Sequence, residues 1–321
     1  SGLGHGAGDV VSFEDGDLWR IDRVQDVGAR LVEATRVEPG LYQPSDSVEP
    51  AARLTQFVPA VPVFPISLDL PLLTGSEAEH APHLAVTATP WPGSVSAYSS
   101  SAGGAFALNR ILPVAAVIGV TETVLPAGTA GVLDRGAALR IKVYGGGLAS
   151  VTEAQLLAGA NALAIGDGTS DVWEVLQFRD AVLVAEDVWE VSARLRGQLG
   201  TDALIPAAWP IGSVVVLLNG ALGQLDLPAS SRGLARTWRV GPAARPVDDA
   251  SYVEEVRAFD GVGLRPYAPA HLRAVENGGD LDVSWVRRTR IDGDLWGAGD
   301  VPLGEASEAY LLRVTDGTSV V

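Results

Sequence analysis

Glu174 and Glu190 lie in two copies of the tetrapeptide Val-Trp-Glu-Val, at 172–175 and 188–191. Paired carboxylates are the machinery of glycoside hydrolysis, which needs them about 5–9 Å apart with one in an apolar setting. If neighbouring strands carry the two copies, the acids meet beside Trp173 and Trp189, and they are the best such candidates in the chain. Solvated strand faces explain them more simply. Acids are also common here, with Asp15 and Asp17, Asp248 and Asp249, and Asp292 and Asp294 forming further pairs. No catalytic residue is therefore assigned, and the expectation is a protein that is not an enzyme.

Other chemistry-bearing groups give less. Glu79-His80-Ala81-Pro82-His83 offers two imidazoles and a carboxylate. Zinc needs a further fixed ligand, and Pro82 prevents a helix from aligning the two histidines, so a polar loop entering a strand is expected instead. Gly2, Gly4, Gly6 and Gly8 alternate as in a phosphate loop, but no strand precedes them and no helix follows, as a dinucleotide fingerprint requires. The Ser-rich tract Ser94, Ser96 and Ser99–Ser101 contains no nucleophile elbow. Cysteine is absent, which excludes disulfides, thiolate metal sites and cysteine nucleophiles. No metal or cofactor is expected.

The elements that must position these residues are β-strands. From Val188 the residues alternate, with Trp189, Val191, Ala193 and Leu195 expected on one face and Glu190, Ser192, Arg194 and Arg196 on the other. The chain has 37 Gly and 20 Pro in 321 residues, and they punctuate short alternating runs, the texture of sandwiches and small barrels. Strands are predicted at 10–13, 18–24, 31–37, 63–68, 83–88, 95–99, 114–120, 138–144, 172–178, 188–195, 213–218, 271–275, 281–287 and 309–314. The run 181–185 lies between the two Trp-Glu strands in a meander. One short helix is expected after Ser150-Val151-Thr152-Glu153, read as a capping box led by Ser150. Asp-Gly-Asp-Leu-Trp occurs at 15–19 and 292–296 and reads as the same turn chemistry used twice.

The expected architecture is mainly β: several small barrel or sandwich domains followed by the start of a fibronectin-III-like sandwich. The expected divisions are a partial β subdomain at 1–55, a barrel-like domain with the helix at 56–228, a connecting segment at 229–265, and a partial fibronectin-III-like domain at 266–321. That last fold needs about seven strands, more than are countable before Val321, and no Met occurs anywhere. The first suggests a chain that stops partway through its last domain, and the second either an internal fragment of a longer polypeptide or a removed start. Trp19, Trp91, Trp173, Trp189 and Trp285 are expected as packing anchors.

Net charge is −16, with Lys142 the single lysine among 23 cations. Such a chain is poorly suited to holding phosphate backbones. No uncharged apolar run approaches the ~20 residues of a membrane helix.

Several stretches resemble the C-terminal half of the large baseplate protein of gene transfer agents and related siphophage-like tails. They are Gly8-Asp9-Val10-Val11 through Trp19-Arg20-Ile21, Leu68-Asp69-Leu70-Pro71-Leu72-Leu73, and Pro90-Trp91-Pro92-Gly93. Trp173 through Phe178, the loop Leu195-Arg196-Gly197-Gln198-Leu199-Gly200-Thr201, and Val283 through Arg290 complete the set. The resemblance implies a structural role in a tail-tip hub, as a homotrimer around the DNA exit channel. Other baseplate and tail-tube proteins and the host cell envelope are the implied partners, and DNA passes without specific binding. The implied location is a virion-like particle, assembled in the bacterial cytoplasm and extracellular after release. Its matching motifs are turns and strands, so no catalytic residue carries over. The alternative from another class is a secreted carbohydrate-active β-protein, which needs Glu174 and Glu190 together in a Trp-walled cleft.

Overall fold

The computed structural model describes residues 4–38, 61–101, 103–169, 172–293 and 300–315. It divides into two units, Ser1–Phe57 and Val58–Val321; the boundary expected near residue 55 lies outside the described residues. Unit 1 is an antiparallel sheet of β1 (Val10–Ser12), β2 (Leu18–Asp26) and β3 (Arg30–Arg36) in that order. Gly16, at φ +84°, and an Asp17 N–H bond to Asp15 Oδ1 make the turn into β2. Trp19 meets Phe13 edge-on at 6.4 Å, beside the buried Ile21. The second Asp-Gly-Asp-Leu-Trp lies mostly outside the described residues.

Unit 2 opens with β4 (Phe64–Leu68), β5 (His83–Thr87), β6 (Val95–Ser100) and β7 (Ala107–Leu112). Then come β8 (Ile118–Thr121), β9 (Leu125–Pro126), β10 (Leu133–Asp134), β11 (Leu139–Tyr144), α1 (Glu153–Leu157) and β12 (Ala162–Gly166). The long hairpin β13 (Trp173–Ala185) and β14 (Val188–Gln198) follows, with β15 (Ala208–Trp209), β16 (Val214–Leu217) and β17 (Gly223–Gln224). The chain continues through β18 (Arg236–Pro242), β19 (Val253–Arg257), β20 (Ala270–Asn277) and β21 (Asp280–Val286).

Six strands close into an antiparallel barrel in the order β8-β11-β14-β13-β12-β16, with β16 pairing back to β8. Closure satisfies every inner strand on both sides. Alternation supplies the filling: Ile141 and Val143 of β11, Leu163 and Ile165 of β12, and Leu176 and Phe178 of β13 are all buried in one cluster. The interior is a packed core of these side chains. Outside the barrel, Trp173 and Ala164 pack against Ile66, Leu68 and Ala85. On the other side of β5, Leu84 and Val86 pack against Ala97 of β6 and Trp238 and Val240 of β18. β5 is thus covered on both faces, which explains its uninterrupted burial.

Several expectations need correction. The segment 229–265 is no simple connector, because β18 and β19 within it extend the sheet β19-β18-β6-β7. The stretch 181–185 is not a separate run but the end of β13. Thr152, not Ser150, caps the helix: its Oγ1 accepts from Gln155 N, and the Gln155 side chain accepts from Thr152 N–H. The strand predicted at 114–120 begins only at Ile118, since Ala116 N–H instead bonds Val86 O on the neighbouring sheet. Residues 309–314 form no strand, so β20–β21 is a two-stranded hairpin, with Trp285 edge-on to Tyr310 at 5.0 Å.

Candidate functional site

Glu174 and Glu190 are not brought together. Glu190 pairs across the hairpin with Val182, whereas Glu174 faces Ile165 on β12. Eight residues of strand separate Val182 from Glu174, roughly 26 Å at about 3.3 Å per residue. Glu190 binds Arg140 at 2.8 Å on the partly exposed outer wall. The pair required by the glycosidase alternative therefore does not exist. The candidate metal group is dispersed too: Glu79 accepts from Arg290 and His80 Nε2 meets Leu227 O, while His83 is buried in β5. Among the described residues no three potential ligands cluster.

What the barrel builds around Glu174 is an ion pair inside one end of its core. Glu174 lies on the face of Leu176 and Phe178 and is wholly buried, not solvated as a strand-face reading expects. Arg196 is equally buried and clasps it with two bonds, Nε to Oε1 at 2.6 Å and Nη2 to Oε2 at 2.8 Å. Trp209 donates its indole N–H to Oε2 at 2.6 Å, Gly197 N–H reaches Oε1, and Arg196 Nη1 donates to Pro126 O. Planar fork-to-fork pairing with every remaining group bonded is what lets two charges persist in an apolar core. Trp209 stands on β15, which pairs with β9, so this short ribbon covers the end of the barrel.

Arg194 and Arg196 were expected on an outer face. The left-handed backbone of Ala193, φ +52°, breaks the alternation, and a bulge follows, since Val175 pairs with Gln198 but Gln177 with Leu195. Both arginines consequently turn onto the buried side. Arg194 binds Asp134 at 2.9 Å and the carbonyls of Ala137 and Val191. Burial pushes the Asp134 pKa up, but Gly136 N–H, Arg194 and Arg196 outweigh it and hold the carboxyl below its usual 3.8. A depressed carboxyl stabilises the fold above its ordinary pKa and loses that contribution as pH falls through the lowered value. Thermal unfolding followed from pH 5 to pH 2 should therefore show stability draining below about pH 4, with a flatter profile in Asp134→Asn.

The Arg196–Thr201 loop is built as a joint. Gly197 and Gly200 have φ +59° and +77°. A Cβ on Gly197 would stand 2.6 Å from Asp202 Cα, and one on Gly200 2.2 Å from the Tyr267 ring. Gln198 donates to Arg196 O, and the Thr201 hydroxyl accepts from Val175 N–H and donates to Gln198 O. Next to the loop, Asp202 holds Arg288 through both carboxylate oxygens at 3.0 Å, and Arg288 lies over the Tyr267 ring. Arg290 is clasped by Glu79 and Glu305. The loop thus ties the barrel to the segment carrying β20 and β21.

Residues 116–216 match the family model described as Rcc01698-like, C-terminal. No curated protein matches the chain. The Rcc01698-like region runs from just before β8 to the middle of β16, so it takes in the barrel, the ion pair and the glycine loop. Of the two anchors expected in that region, Trp173 is buried against the β4–β5 sheet and Trp189 is partly buried at the core edge; outside it, Trp91 packs on the far core. Trp209 and Trp238 escaped sequence reading. Trp209 lies in a two-residue strand too short for periodicity, and Trp238 in a segment read as a connector.

Proposed function

We propose that this chain is a structural subunit of the baseplate of a phage-like particle of the gene-transfer-agent type. It helps form the tail-tip hub around the DNA exit channel and takes part in host attachment and envelope penetration. The observation that carries the reading is coincidence: two of the stretches that carry the sequence resemblance, Trp173–Phe178 and Leu195–Thr201, fall inside the matched residues 116–216. The buried charges there serve shape, since Glu174 and Arg196 bond one another rather than face a cleft. In this reading three copies surround the tail axis and contact other baseplate and tail-tube proteins. Because the barrel core is solid, the channel runs between copies. With a net charge of −16, acidic side chains outnumber basic ones along it, and DNA slides without being held.

Electron cryomicroscopy of particles from a producing strain tests the proposal. The expected image has three copies of this barrel around the tail axis at its tip. Absence of the chain from purified particles, or an arginine-lined channel, would overturn the corresponding claim.

A further inference from the structure

A cleft of about 460 Å³ opens between the barrel wall and the segment connecting β4 to β5. Its walls include Glu77, His83, Gln177 and Gln198, with Leu199 and Leu222 as apolar surface. The polar groups are held in one sense. Gln177, 7% exposed, spends its amide nitrogen on Leu156 O and Ala160 O, both at 2.8 Å. That leaves Oε1 on the other edge of a fixed amide with no protein partner among the described residues. Gln198 donates one of its two amide hydrogens to Arg196 O and keeps the other, with its oxygen, without a protein partner among the described residues. His83 is 6% exposed, and its Nδ1 finds no partner. Burial lowers its pKa, against the pull of Glu77 upward, so the ring is neutral at pH 7. Glu77 is anchored by Thr74 and Gly75 N–H and adds negative charge.

Buried polar side chains normally find partners; His83 Nδ1 is buried without one among the described residues, and the two glutamine oxygens are accessible acceptors beside leucine surface. Hydroxyl groups, which both donate and accept, match this lining, and the occupant should carry no negative charge beside Glu77 and offer an apolar face to the leucines. We propose that the cleft binds a neutral saccharide unit, with hydroxyl groups donating to Gln177 Oε1 and Gln198 Oε1 and a ring face against Leu199 and Leu222. A phosphate or carboxylate is opposed by the charge of Glu77, which lines the same cleft. The site is separate from the ion pair, and it does not depend on the tail-tip reading.

Saturation-transfer NMR on the whole chain tests it, with methyl glucoside and N-acetylglucosamine as probes and inorganic phosphate as the competitor. The expected result is transfer to the ring protons of at least one sugar, unaffected by phosphate. Gly220→Trp should abolish the transfer, because Gly220 lines the cleft and has open space and no left-handed backbone. Gln198→Leu should weaken binding about tenfold, the loss of one hydrogen bond to an uncharged partner. Melting curves matching the parent would show both variants folded. No transfer from either sugar, displacement by phosphate, or equal transfer in a folded Gly220→Trp or Gln198→Leu protein would overturn the proposal.

Discussion

Replacing Glu174 by Gln should destabilise the barrel by about 3–5 kcal/mol, the usual cost of stranding one member of a buried ion pair. The guanidinium of Arg196 would keep Pro126 O but lose the charge that compensates its burial. Arg196→Met should cost a similar amount by leaving Glu174 with only Trp209 and Gly197. The double change Glu174→Leu with Arg196→Met should recover most of the loss, since an apolar pair of similar volume fills the same core without desolvated charge. Urea unfolding of the four proteins measures this directly. Equal stability of parent and Glu174→Gln would mean that the pair contributes nothing, and a double variant no more stable than the single variants would mean that an apolar pair does not replace the charges. A catalytic carboxylate would behave differently, because its removal ordinarily spares stability.

Gly200→Ala should separate the joint from the barrel. The left-handed backbone alone costs an alanine about 1–2 kcal/mol, and its methyl group would also run into the Tyr267 ring. The ring cannot yield cheaply, because Arg288 lies across it while bonded to Asp202. Hydrogen exchange should show early loss of protection in β20 and β21, with the barrel strands β8 and β11–β14 close to their parent values. Asp202→Asn should produce a milder form of the same pattern, since this pair is partly exposed and worth about 1 kcal/mol or less. Uniform loss of protection across the chain in Gly200→Ala would show instead that the loop supports the barrel itself.

Much of this was legible before any tertiary contact was known. The alternation of Leu139, Ile141 and Val143, and of the first half of β14, is a strand signal because side chains leave a strand on opposite sides. Gly197 and Gly200 mark a turn for the same local reason, and the Trp-Glu repeat does form one hairpin. Strand existence, hairpin pairing and the mainly-β class are properties of neighbouring residues, and sequence determines them.

Tertiary structure alone decided where charge is buried and where the barrel closes. Ile118 pairs with Val216, 98 positions further along the chain, and no local pattern announces a contact so distant. Alternation predicts an outward Arg196, yet the left-handed turn at Ala193 and the bulge at Gly197 reverse its face. That reversal is tolerated only because Glu174, Trp209 and Pro126 O, from three other segments, converge to receive the guanidinium. A backbone irregularity is a small local cost, whereas the bonds that compensate it are non-local, so only the folded chain shows which side chain it re-aims.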